Sequence, residues 1–111
     1  MMNDRVIGLI RRTSGKNFLD LSNYRLTQLP LEITKLKNIT KLCLSSNQLT
    51  QLPPEIGELK NLTELDLSYN RLTQLPPEIG ELKNLTILNL TRNQLTQLPP
   101  CLLYTSDAAD E

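Results

Sequence analysis

Leucine and isoleucine recur at fixed places along this chain. It reads LDLSNYRLTQLPLEITKLKNITK from Leu19, LCLSSNQLTQLPPEIGELKNLTE from Leu42, LDLSYNRLTQLPPEIGELKNLTI from Leu65 and LNLTRNQLTQLPP from Leu88. The segments align without a gap, 23 residues apart. A fixed period of that length marks a repeat architecture. Each unit opens on a period-two stretch, with Leu65 and Leu67 inward and Glu64, Asp66 and Ser68 outward, the pattern of a short half-buried strand. The pattern predicts strands centred on Leu19–Leu21, Leu42–Leu44, Leu65–Leu67 and Leu88–Leu90. Pairs such as Pro53 and Pro54 cannot sit in a central strand, so Leu-Thr-Gln-Leu-Pro-Pro reads as an extended return. Ile56 and Leu59 then stand three apart, the spacing of a single helical or 3₁₀ turn. One such turn cannot bury its apolar face alone. Stacked units can, with Leu42, Leu65 and Leu88 in one column and Ile33, Ile56 and Ile79 in another.

Ahead of the repeats, residues 4–14 read as a helix. Val6, Ile7 and Ile10 fall on one face, Asn3 or Asp4 can cap the start, and Gly15 can close the end. Its expected job is to cover the apolar edge of the first unit at Leu19 and Leu21. The chain thus divides into a cap helix and entry over 1–18 and repeats over 19–100 (19–41, 42–64, 65–87 and a partial 88–100). Residues 101–111 abandon the pattern: where Glu-Ile-Gly-Glu-Leu should follow Pro100, the chain reads CLLYTSDAADE. All eleven residues resemble the translation of a sequencing-library adapter, so this segment is expected to be a non-native tail.

The motif Leu-x-x-Leu-x-Leu-x-x-Asn-x-Leu-x-x-Leu-Pro-x-x-Ile-x-x-Leu, over roughly residues 16–100, resembles the leucine-rich-repeat family. Its Leu-Pro-x-Glu-Ile variety is similar to the Ras-associated subclass and to the N-terminal repeats of bacterial Roco GTPases, which also open on a short helix. The resemblance implies an α/β fold, a right-handed solenoid with about four short parallel strands on its concave side and a capping helix at its start. It implies that Asn47, Asn70 and Asn93 form a structural ladder by bonding the backbone of neighbouring turns. In the first unit Tyr24 occupies that column, and a phenol cannot replace an amide, so either the first turn is rearranged or Tyr24 faces the N-terminal cap; the second is the expectation, since terminal repeats are usually atypical. The resemblance also implies that the partner is another protein, with a small GTPase among the candidates.

Composition narrows the chemistry. The 111 residues contain no His and no Trp, which removes the commonest general base and metal ligand. Cys43 and Cys101 lack metal-site spacing. Twelve basic and twelve acidic residues balance; without 101–111 the balance is 12 to 9, a charge of +3. Neither value points to nucleic acid, and no stretch reads as a signal peptide or a membrane span. A cytoplasmic setting is expected. Thr13-Ser14-Gly15-Lys16 is no phosphate loop, since Ile10 stands where its first glycine belongs. The glycosylation-like triplets at Asn38, Asn61 and Asn84 recur at the repeat period and read as its by-product. Glu55, Glu58, Glu78 and Glu81 read as a solvated convex face. No constellation supports catalysis, so the chain is expected to be no enzyme and to need no cofactor or metal.

The concave columns remain. They are Phe18, Lys41, Glu64 and Ile87; then Asp20, Cys43, Asp66 and Asn89; then Asn23, Ser46, Tyr69 and Arg92; then Arg25, Gln48, Arg71 and Gln94. These vary between units while the inward leucines do not. Lys41, Glu64, Asp66, Tyr69, Arg71, Ile87, Asn89 and Arg92 are the candidate partner-binding residues, with Tyr69, Arg71 and Arg92 the best anchors. The expected function is a protein-interaction scaffold in intracellular signalling. The alternative is the regulatory repeat region of a multidomain enzyme such as a Roco GTPase. A secreted or injected effector is disfavoured, since effector repeats are typically shorter than 23 residues. Four strands span only about 15 Å, so further repeats are expected beyond Pro100. Without them, self-association through an uncapped C-terminal edge is expected.

Overall fold

The computed structural model describes residues 4–100. The proposed adapter-like tail at 101–111, Cys101 and the capping role of Asn3 lie outside them. Helix α1 spans Asp4–Arg12, with Asp4 in its first turn and Arg11 and Arg12 in its last, the charge order that complements the helix dipole. Gly15 follows at φ 86°, a left-handed conformation that only glycine adopts freely. Strands β1 (Phe18–Asp20), β2 (Lys41–Cys43), β3 (Glu64–Asp66) and β4 (Ile87–Asn89) form one parallel sheet in chain order. The 3₁₀ turns η1 (Leu31–Lys35), η2 (Pro54–Glu58) and η3 (Pro77–Glu81) stack on the opposite side.

The register follows the period: Leu42 pairs with both Leu19 and Leu65, and Leu65 with Leu88. Each strand nevertheless sits one residue earlier than the leucine alternation predicts. The reason lies at the second leucine, whose carbonyl is taken by an asparagine side chain rather than by the next strand. Asn47, Asn70 and Asn93 donate Nδ2 to the carbonyls of Leu21, Leu44 and Leu67 at 2.9, 2.9 and 2.8 Å. There the regular ladder gives way to one last backbone bond per unit, such as the Ser46 amide to the Ser68 carbonyl at 3.0 Å, and the chain turns.

Between sheet and 3₁₀ turns lies a single core of Leu and Ile columns, including Leu42, Leu65, Ile33, Ile56, Leu62 and Leu67, each at most 1% exposed. Helix α1 adds Val6 and Ile10, both buried, and Leu9 packs against the same cluster. Ile7, expected on the buried face, is only half-buried. At the other end Leu88, Leu90, Leu95 and Leu98 are half-buried and pack against the core.

Candidate functional site

Each asparagine of the ladder is saturated by backbone. The Nδ2 of Asn70 also donates to Leu67 and Ser68 carbonyls at 3.1 and 3.2 Å, and its Oδ1 accepts from the amide of Leu49 at 3.1 Å. Asn47 accepts from the amides of Tyr24 and Leu26, and Asn93 accepts from that of Leu72. Asn47 and Asn70 are 7% and 6% exposed, and an amide bonded at both ends is what makes such burial tolerable. In the first unit the Arg5 guanidinium lies over the Tyr24 ring, 5.9 Å from its centroid. Tyr24 therefore faces α1. The turn is altered as well: Arg25 takes a left-handed φ of 56°, unlike Gln48, Arg71 and Gln94 in later units.

A second ladder runs along the start of each unit. Asn61 and Asn84 donate to the carbonyls of Lys37 and Lys60 at 2.8 and 3.2 Å. Thr40, Thr63 and Thr86 donate to those of Asn17, Thr40 and Thr63, each at 3.1 Å. Asn61-Leu62-Thr63 and Asn84-Leu85-Thr86 thus have a structural task for both polar residues. The convex glutamates are solvated and partly paired, Lys37 with Glu58 at 3.3 Å and Lys60 with Glu81 at 3.1 Å. A groove of about 1150 Å³ follows the proline returns past Gln51, Pro54, Gln74 and Pro77. It repeats the same residue types in each turn and so carries little individuality.

Individuality is concentrated on the concave side. The units starting at Leu42 and Leu65 differ at only four positions: Cys43/Asp66, Ser46/Tyr69, Gln48/Arg71 and Glu64/Ile87. All four belong to the concave columns. Lys41, Glu64 and Ile87 stand in register on neighbouring strands, with Phe18 at the far end of their column. Lys41 and Glu64 form an ion pair at 3.6 Å, while Phe18 and Ile87 are 52% and 53% exposed. Phe18 is therefore as available for contact as Ile87, and its column made it legible in the sequence although it was not among the candidates.

Asp66 and Asn89 are adjacent in the second column, yet their side chains are partly engaged at home. Asp66 Oδ1 accepts from the Ser68 amide at 2.9 Å and hydroxyl at 2.7 Å, and Asn89 Oδ1 from the Thr91 amide at 3.0 Å. Asp20 makes the same turn with Ser22. The Ser22 hydroxyl, and then its amide, hold the Asp20 carboxyl below the ordinary carboxylate value of 3.8, against a smaller opposing effect of burial; Cys43 lowers it further. Cys43 Sγ lies 3.4 Å from Ser45 Oγ and 3.9 Å from Asp66 Oδ2. Beyond the strands, Tyr69 stands beside Arg92, their backbones joined by the Tyr69 amide bonding Thr91, and Arg71 follows two residues on. All three are exposed, Tyr69 at 57%. Among the described residues no three His, Cys, Asp or Glu converge as a metal would require.

Two family models match the chain: "Leucine rich repeat" over residues 17–72 and "Leucine Rich repeats (2 copies)" over 60–101. No curated protein matches it. Among solved structures, a leucine-rich-repeat protein of Leptospira interrogans is 31% identical with a TM-score of 0.52, over 87% of this chain and 36% of that one. The leucine-rich-repeat domain of the type III effector XopL is 26% identical with a TM-score of 0.78, over 86% and 33%. YopM from Yersinia enterocolitica is 29% identical with a TM-score of 0.68, over 86% and 20%. The chain spans 36% or less of each.

Proposed function

We propose, for a chain that belongs to the leucine-rich-repeat family, that its concave face docks another protein and acts as a scaffold in intracellular signalling. Domains of this family generally mediate protein–protein interaction. The observation that carries the reading here is the pairwise comparison of two units. Across 23 positions the backbone demands are the same, and only the four concave positions differ. Packing constrains the inward leucines; the outward side chains are free to be chosen for what they touch. A second reading, the regulatory repeats of an enzyme such as a Roco GTPase, draws on α1 standing directly before the first unit. A phosphate-loop motif encoded downstream of Pro100 would select it, as would a small GTPase as the bound partner.

Peptide-library selection on the full chain tests docking. Binders selected on the native chain should be lost on Tyr69→Ala and Arg92→Ala and retained on Glu78→Ala, which alters the convex side. Binders that survive both concave changes and fail on the convex one would refute the reading.

A further inference from the structure

The concave face is electrically divided, and its two halves are in different states. Along the strands the charges are occupied: Lys41 is paired with Glu64, and Asp20 and Asp66 accept hydrogen bonds from Ser22 and Ser68. Beyond the strand ends lie Arg25, Arg71 and Arg92, all exposed. Among the described residues none of these three guanidiniums has an ion pair or a hydrogen bond. Tyr69, in the same unit as Arg71 and beside Arg92, has no cation–π contact among the described residues, where that contact belongs to Arg5 and Tyr24.

The backbone supplies an independent observation. One slot per unit, at Asn23, Ser46, Tyr69 and Arg92, is held at a left-handed φ of 58–63°. That conformation suits Gly or Asn and is unfavourable for bulky side chains. The first two units fill it with short residues, and the last two with Tyr and Arg. The two bulky occupants fall side by side, about 5 Å apart along the sheet, next to Arg71. Residues kept in an unfavourable backbone conformation cluster where function requires them.

We propose that Tyr69, Arg71 and Arg92 clamp a short acidic segment of a protein partner, with its Asp or Glu carboxylates in the guanidinium forks and its chain against the Tyr69 ring. The inference rests on the docking reading above and adds the partner's chemistry. Arginine matches a carboxylate with two parallel hydrogen bonds, and an unpaired fork on a rigid coil is already oriented for it. A polynucleotide fits poorly, because phosphates tracking across the face would meet Asp66 and Glu64, three and five residues before Tyr69. A short acidic segment can stop at the rim.

Fluorescence anisotropy on the full chain tests this, with a labelled peptide of alternating Glu and Ser as the probe and its Gln–Ser counterpart as control. The Glu–Ser peptide should bind more tightly, and its affinity should fall as salt is raised. Arg71→Gln and Arg92→Gln should each weaken binding about tenfold, the scale of a loss at an arginine anchor. Arg71→Lys should recover only part, because an ammonium cannot form the fork. Lys83→Gln, on the convex side, should change nothing. Tyr69→Asn should raise the melting temperature by relieving the backbone and lower affinity, a combination that a purely structural tyrosine would not give.

Equal binding of the two peptides, indifference to both arginine changes, or tighter binding of oligouridylate would overturn the proposal. Library-selected binders lost on Tyr69→Ala but unaffected by Arg71→Gln and Arg92→Gln would overturn it and leave docking intact. Binders indifferent to every concave change would overturn both.

Discussion

A buried leucine in this fold touches its own unit and both neighbours, so its loss cannot be absorbed locally. Leu65 is 1% exposed and pairs with Leu42 and Leu88. Leu65→Ala should cost ~2–5 kcal/mol in urea melts, the usual range for a buried leucine. Glu78→Ala, outside the core, should stay within ~0.5 kcal/mol. Asn70→Ala should cost ~1–3 kcal/mol by another route: the buried Leu49 amide loses its acceptor, and the Leu44 and Leu67 carbonyls are left with one donor each, Asn47 and Asn93. A loss no larger than that of Glu78→Ala would show that water replaces the amide. Asp20 adds a pH dependence whose sign is fixed. Its folded pKa lies below 3.8, so its stabilisation is complete above that value and disappears as pH falls through the folded pKa. Acid titrations of stability should therefore fall more steeply below pH 3.8 for the native chain than for Asp20→Asn. Parallel curves would assign the acid loss to other carboxylates.

At the scale of elements, the 23-residue period made the architecture legible and left the fine contacts illegible. Leucine columns gave the number, order and spacing of the strands because burial of one face leaves no other register. Their position within each unit depended on which carbonyl the asparagine amide takes, a contact between residues 26 apart. The Tyr24 substitution pointed correctly to α1, since the phenol could not enter the ladder and had one neighbour available. The second left-handed residue, Arg25, gave no signal, because arginine has no special preference for that conformation. On the concave face, column membership could be read directly from the period, whereas the engagement of Asp66 and Asn89 with their own turns could not. Gly57 was likewise silent. A Cβ there would stand 2.9 Å from the Glu78 carbonyl oxygen and 3.2 Å from its Cβ, so η2 and η3 approach through it backbone to backbone. Gly57→Ala should destabilise by ~1–3 kcal/mol, the range for overpacking a close contact, although alanine usually favours a helical turn. An unchanged melting temperature would mean that the two turns slide apart at no cost.

A molecule built this way is nearly one-dimensional, with each coil stabilised by the coils beside it. Its two ends are therefore unequal. At the start α1 places Val6 and Ile10 over the first unit, and Leu19 and Leu21 are 2% and 0% exposed. In the last unit Leu88, Leu90, Leu95 and Leu98 are only half-buried, whereas Leu65, Leu67, Leu72 and Leu75, their counterparts one unit earlier, are buried. About 25 cal/mol follows each square ångström of apolar surface removed from water, so the last coil holds to the stack with less driving force than any interior coil. Opening should then proceed inward from β4. In native-state hydrogen exchange the amides of Gln94 and Thr96, which bond to Leu72 and Thr73, should exchange before those of Leu44 and Gln48, which bond to Asp66 and Leu26. Leu88→Ala should accelerate that early class and leave the interior amides close to their native rates, because the coil it weakens is already the first to open. Fusing a polar-faced capping repeat directly after Pro100 should merge the two classes, by burying Leu88, Leu90, Leu95 and Leu98 as their counterparts one unit earlier are buried. Uniform protection from Leu44 to Thr96 in the chain without the fused repeat would contradict the one-dimensional account and make the four coils a single cooperative unit.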